Sequence, residues 1–292
     1  METACNQTLE SVMKIPFGKP FPGIDPTSLR DGVAAGLVNG YINELDNYQI
    51  VPGLTEFGAF DGVTTFPPTV PGLSRFWDGT TANYLQTSLH GTFYGAQCIF
   101  AWIQVAALGS HMTIFGNCYD AGYGWRISNS SHLELFWSRG PFYDQYTLRV
   151  PVPGLTIGVP IFVAINIITT NPGPTTANFY AGLTPATIAF IGTETSAVGT
   201  ASNGVQHIAL GVNMYGLTPQ VPFHGHMAKI GRYARNLTLD ELKAIAVCGA
   251  VPPVLELSFY YEITGASPEA DSGPFAYPAT VIGSLPVGGG LC

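Results

Sequence analysis

The chain has 292 residues, 46% of them apolar, which is enough to bury a sizeable core. Only 10% are charged, the formal net charge is −8 and no basic run occurs, so nucleic acid is excluded as a partner, because phosphate contacts need clustered Lys and Arg. Glycine (35) and proline (23) together make about a fifth of the chain, which predicts many turns and few long helices.

The first twenty residues lack an apolar core of signal-peptide length, and no later stretch reaches the ~18 apolar residues of a membrane-spanning helix. Residues 1–24 carry Pro16, Gly18, Pro20, Pro22 and Gly23 and read as an extended arm. Asp25-Pro26 is a good helix start, and Leu29, Val33, Leu37, Val38, Tyr41, Ile42 and Leu45 follow at helical spacing, weakened by Gly32, Gly36 and Gly40. Residues 50–75 are turn-rich: Val51-Pro52-Gly53-Leu54 is echoed at Val70-Pro71-Gly72-Leu73 and again at Val152-Pro153-Gly154-Leu155. The unequal intervals make this turn chemistry and not a structural repeat.

From Phe76 onward the pattern is β. Strand-like segments occur at Phe76–Thr87, Cys98–Val105, Ile114–Gly116, Gly124–Ile127, His132–Phe136, Ile161–Ile167, Asn178–Gly182 and Ile208–Gly211. In His224–Tyr233 a period of two places His226, Ala228, Ile230 and Arg232 on one side, with Met227, Lys229, Gly231 and Tyr233 on the other. Thr238-Leu239-Asp240-Glu241 then spells a capping box, with Leu237 and Leu242 at the hydrophobic-staple positions, so a helix of two or three turns follows that strand. Val254–Ile263 reads as one more strand before a tail rich in Pro and Gly. The five cysteines are widely spaced without a C-x-x-C pair; buried thiols are expected, with Cys98–Cys118 across neighbouring strands as the alternative.

The order and spacing of these segments resemble the laminin-G-like jelly rolls of the concanavalin A-like lectin/glucanase superfamily. Phe76-Trp77-Asp78-Gly79 through Tyr84-Leu85 resembles the family's opening strand, Phe100-Ala101-Trp102-Ile103 its next, and Arg235-Asn236-Leu237-Thr238 with Glu241-Leu242 its closing helix. The resemblance covers about residues 75–247. It implies a mainly β fold: a two-sheet antiparallel jelly-roll sandwich with an N-terminal arm and helix and a short C-terminal capped helix. The expected organisation is an arm with one amphipathic helix over 1–74, the sandwich over 75–249, and a strand and tail over 250–292. Trp102, Trp125, Phe136, Phe162 and Phe179 are core candidates.

The superfamily includes glycoside hydrolases, which need two carboxyl groups about 5–5.5 Å apart for retaining chemistry. The nearest string to their E-x-D-x-x-E strand is Glu44-Leu45-Asp46-Asn47-Tyr48-Gln49, which has Gln49 in place of the acid and lies outside the sandwich. No catalytic residue is therefore assigned, and the chain is expected not to be an enzyme. His224 and His226 share one strand face, yet the spacing offers no third metal ligand. No cofactor is expected apart from calcium, which the resemblance allows at a sandwich rim, with Asp78, Asp120 and Asp144 as donors. A glycan site, by the same resemblance, would use rim-loop tyrosines: Tyr119, Tyr123, Tyr143 and Tyr146.

Two functional readings follow. The first is a non-enzymatic structural protein of a virion or extracellular surface assembly, of the decoration or fibre-associated type. It would self-associate or bind other subunits through the N-terminal arm. The alternative is a glycan-binding adhesion module, calcium-assisted or not, whose partners are cell-surface sugars.

Overall fold

The computed structural model describes residues 73–90, 95–118, 122–138, 146–170, 173–199, 207–247, 250, 252–263, 266–271, 277–288 and 291. All of them fall in the unit Phe66–Cys292; the other unit, Met1–Thr65, lies outside the described residues, and with it the expected arm and amphipathic helix.

In chain order the strands are β1 (Ser74–Asp78), β2 (Tyr84–His90), β3 (Gly95–Val105), β4 (Met112–Gly116), β5 (Tyr123–Ile127), β6 (His132–Trp137), β7 (Tyr146–Pro151), β8 (Ile161–Thr169), β9 (Thr175–Gly182) and β10 (Ala189–Ser196). They continue as β11 (His207–Leu210), β12 (Asn213–Tyr215), β13 (Thr218–Gln220), β14 (His224–Tyr233), β15 (Leu257–Tyr261), β16 (Ala279–Ile282) and β17 (Val287–Gly288). Among the described residues one α-helix, α1 (Leu239–Ala246), follows β14, and a 3-10 turn at Pro185–Thr187 links β9 to β10.

These strands form two sheets. The eight-stranded sheet runs β10-β9-β8-β3-β14-β1-β17, with β15 also on β14; the nine-stranded sheet runs β16-β2-β11-β4-β5-β6-β7, with the β12–β13 hairpin attached through β4. Alternate side chains meet between the sheets, where Ile99, Ala101, Ile103 and Val105 of β3 face Trp125, Ile127, Leu133 and Leu135 of β5 and β6 in one cluster. Trp125 and Phe179 occupy this core as expected.

Trp102 and Phe162 are buried elsewhere. They sit on the outer face of the eight-stranded sheet, in a second cluster covered by Leu242, Ile245 and Ala246 of α1. Phe136 is buried too, on the outer side of β6, with the Arg126 guanidinium 4.3 Å from its ring centroid.

The helix follows from the sequence signal. Thr238 accepts from the Glu241 N–H at 3.2 Å, Glu241 Oε2 accepts from the Thr238 N–H at 2.7 Å, and Leu237 and Leu242 are buried. Side chains of the sheet hold both ends of α1. Asn166 of β8 donates to the Leu237 carbonyl at 2.6 Å and accepts from the Leu237 N–H at 3.0 Å. At the other end Trp102 Nε1 donates to the Ala246 carbonyl at 3.0 Å, and Lys229 Nζ donates to the carbonyls of Val247 and of Ala250, the latter at 3.1 Å. An ammonium there also complements the negative end of the helix.

Lys229 corrects the expected alternation of β14. It adopts φ +48, and the pairing with β3 shifts from Ala228↔Trp102 to Gly231↔Phe100, leaving two residues opposite one. Ala228 therefore packs under the helix, and Ile230 in the inter-sheet core. The bulge lets one strand aim a cation at the helix end and still return its next apolar residue inward.

The segment beyond residue 250 is woven into both sheets. β15 shares one edge of β14 with β1, β17 pairs with β1, and β16 pairs with β2.

Candidate functional site

The structure disperses the residues singled out from sequence. Tyr119, Tyr143, Asp120 and Asp144 lie outside the described residues. Tyr123 is fully buried in the inter-sheet core, its hydroxyl 3.4 Å from Gln97 Oε1, and burial raises its phenol above the ordinary value. Tyr146 is half-buried and stacked on Trp137 with centroids 5.7 Å apart.

Asp78 organises a turn. Its carboxylate accepts from the Thr80 hydroxyl at 2.8 Å, the Thr80 N–H at 3.0 Å and Asn83 Nδ2 at 2.7 Å, and the Thr80 hydroxyl is the main reason its carboxyl is held below the ordinary value. These neighbours are donors, which suit an anion that stays where it is. Among the described residues no group of three or more His, Cys, Asp or Glu is arranged to hold a metal ion.

His224 and His226 do share the outer face of β14, where both pack on Phe76 with ring centroids 6.0 and 5.0 Å away. His226 Nδ1 lies 3.1 Å from the Ser74 hydroxyl, and burial lowers its imidazole below the ordinary value of 6.5.

Several carboxylates are engaged in the architecture. Glu134 pairs with Arg126 at 2.6 Å, Glu269 with Arg75 at 2.6 Å and Glu241 with Arg235 at 2.6 Å. Asp271 accepts the Tyr260 N–H at 2.8 Å and the Tyr277 N–H at 2.9 Å. Nothing in these arrangements pairs a general acid with a base across an open cleft.

Cys98 and Cys118 are not cross-strand neighbours. Cys98 is on β3 under the helix, whereas Cys118 follows β4 in the other sheet. Cys98 is a free thiol.

The surface with the most recognisable binding chemistry is one that sequence reasoning missed. It is a shelf on the outer face of the eight-stranded sheet, at its β9–β10 margin. In β9 the inward residues Thr175, Ala177, Phe179 and Ala181 are buried, while Thr176, Asn178 and Tyr180 face outward and are half-buried. β10 brings Thr195 opposite Thr176, Thr193 opposite Asn178 and Phe190 opposite Tyr180. The Thr176 and Thr195 hydroxyls are 3.1 Å apart, and Thr193 donates to Asn178 Oδ1. Tyr180 and Phe190 meet edge to face at 5.8 Å, with Phe190 53% exposed.

Three alternate positions on a strand span about 13 Å at ~3.3 Å per residue. Tyr180 also packs against the cluster under α1, together with Leu239, so the shelf lies beside the helix. Its six outward side chains carry no charge, and Asn178 with the threonine hydroxyls supplies donors and acceptors in one row.

No protein-family model matches the sequence, and no curated protein resembles it in sequence. Solved structures resemble it in fold. One, from Bacteroides ovatus and described provisionally as a carbohydrate binding protein, superposes with a TM-score of 0.54 at 16% identity, over 75% of this chain and 60% of that one. This chain thus spans about 60% of that structure's length. A native heptameric SAP-like pentraxin from Limulus polyphemus gives a TM-score of 0.50 at 14% identity, over 76% of this chain and 97% of the pentraxin. The fold is that of the concanavalin A-like jelly rolls. At these identities the likeness is one of fold, and function has to be argued from the site.

Proposed function

We propose that this jelly roll is a non-catalytic binding module for a neutral glycan, taken on the β9–β10 shelf. The observation that carries the reading is the juxtaposition there of a hydroxyl and amide row with an exposed aromatic pair. A sugar ring presents C–H groups on its faces and hydroxyls at its rim. The C–H face stacks on an aromatic ring, which Phe190 and Tyr180 offer, while the rim exchanges hydrogen bonds with Asn178, Thr193, Thr176 and Thr195. A strand-borne site of this kind is held rigid by the ladder beneath it, so little ordering is left to oppose binding. The carbohydrate-binding description of the Bacteroides ovatus structure is consistent with this reading.

Neutral sugars fit better than acidic ones, because the chain is net −8 and the shelf itself holds no cation. A subunit of a virion or other extracellular surface assembly would use such a shelf for adhesion, which joins the two readings of the sequence in one molecule.

The test is a glycan array probed with the full chain and with Phe190→Ala and Asn178→Ala, in calcium and in chelator. The expected result is a set of neutral glycans whose binding falls at least tenfold in either variant while the melting temperature stays unchanged. An array without hits, or hits that survive both substitutions, overturns the proposal.

A further inference from the structure

Two apolar features take no part in the shelf. The first is the tip of the β12–β13 hairpin. Tyr215 pairs with Thr218, so Gly216-Leu217 forms a two-residue turn, with Gly216 at φ +63. Leu217 at that tip is 89% exposed. The tight turn fixes the leucine in one place, as a preorganised knob.

The second is a groove of about 340 Å³ on the outer face of the eight-stranded sheet, at the C-terminal end of α1. Trp102 and Val159 line it, with Leu183 and Pro185 from the turn after β9, Val247 from the helix end, and Leu291. Leu183 is 44% and Val247 42% exposed, so its walls remain open to water.

We propose that these are the two halves of one contact, in which Leu217 of one copy seats in the groove of a second copy. Both surfaces are apolar and of side-chain dimensions. Both are also free of charge: residues 211–223 contain no Asp, Glu, Lys or Arg, and neither does the groove lining. Copies that each carry −8 repel one another, and a contact between two charge-free patches minimises that cost. The hairpin belongs to the nine-stranded sheet and the groove to the outer face of the other, so a copy does not fill its own groove. The contact is therefore heterologous. Each added copy leaves one knob and one groove available, and assembly proceeds to a closed ring or an open filament. This inference stands independently of the glycan reading.

The test is sedimentation equilibrium of the full chain over a concentration series, with Leu217→Asp and Leu183→Asp, each checked by circular dichroism for an intact fold. The wild type is expected to rise with concentration above its monomer mass of 31.0 kDa, and each variant to remain at that mass. An equimolar mixture of the two variants still contains one sound knob and one sound groove, so it is expected to form a dimer and stop there. Val247→Asp serves as a second groove variant. A wild type that stays monomeric, association that persists in Leu217→Asp, or a mixture that forms no dimer overturns the proposal.

Discussion

Arg75 and Glu269 are 194 positions apart in the chain, and their side chains meet at 2.6 Å where solvent reaches only 5% of one and none of the other. Arg75 also donates to the Leu285 carbonyl at 2.6 Å and to the Ala266 carbonyl, so one guanidinium ties β1 to the late segment of the chain. Removing one partner of a buried pair strands the other charge. Glu269→Ala is expected to destabilise the sandwich by about 3–5 kcal/mol, read as a lower urea midpoint at unchanged slope. The double variant Arg75→Met/Glu269→Leu should recover most of that loss, because it leaves no charge behind.

Asn166 is expected to behave as a structural clamp. Asn166→Ala leaves the Leu237 N–H and carbonyl without their side-chain partners just before α1. At about 1–3 kcal/mol for each buried polar group left unsatisfied, the loss should be about 2–6 kcal/mol in urea denaturation. Amide exchange in α1 should accelerate in the variant while that of β5 and β6 is spared. Uniform acceleration across the protein would refute the local role.

Acid should weaken the same element. Burial alone would raise the Glu241 carboxyl, but the hydrogen bonds from Arg235 and Thr238 outweigh it and hold the group below its ordinary value. A carboxylate depressed in the folded state contributes stability above the unfolded pKa and loses that contribution as pH falls through the folded one. The advantage of wild type over Glu241→Gln should therefore be full near neutral pH and fade as pH drops below about 4.3. A stability gap that does not change with pH, measured by thermal melts across that range, would contradict the assignment.

Cys98 should be chemically inert. Burial pushes its thiol far above the ordinary thiol range, and the reactive form is the thiolate. In native protein, iodoacetamide labelling followed by peptide mapping should spare Cys98, and the same peptide should label fully in denaturant.

How far the sequence revealed this molecule depends on what each segment packs against. β3 and β8 lie within the eight-stranded sheet with neighbours on both edges, and their apolar runs were legible. The helix was legible because its capping box is a local chemical device. β10 was not, because a strand at the sheet margin with mostly exposed side chains needs no apolar alternation. The shelf was hidden for the same reason: its residues become a row only through the pairing of β9 with β10. The strict alternation of β14 failed at Lys229, where a tertiary partner, the end of α1, overrides the period of two. Of the tyrosines chosen by loop character, Tyr123 is buried in the core and Tyr146 is half-buried on β7, while Tyr119 and Tyr143 lie outside the described residues; loop character says nothing about burial.

The sharing of β14 by β1 and β15 bears on how the protein is made. During synthesis, residues 73–247 emerge first, with that edge half-covered and β1 and β2 lacking β17 and β16. At ~5–20 residues per second the next forty or so residues, through β17, take roughly 2–8 s to follow. For that interval the nascent chain carries unpaired strand edges and no partner for Arg75. Closure of the sandwich is thus coupled to the synthesis of residues 257–288, and a stall or truncation near residue 250 should yield an aggregating species instead of a shorter soluble domain.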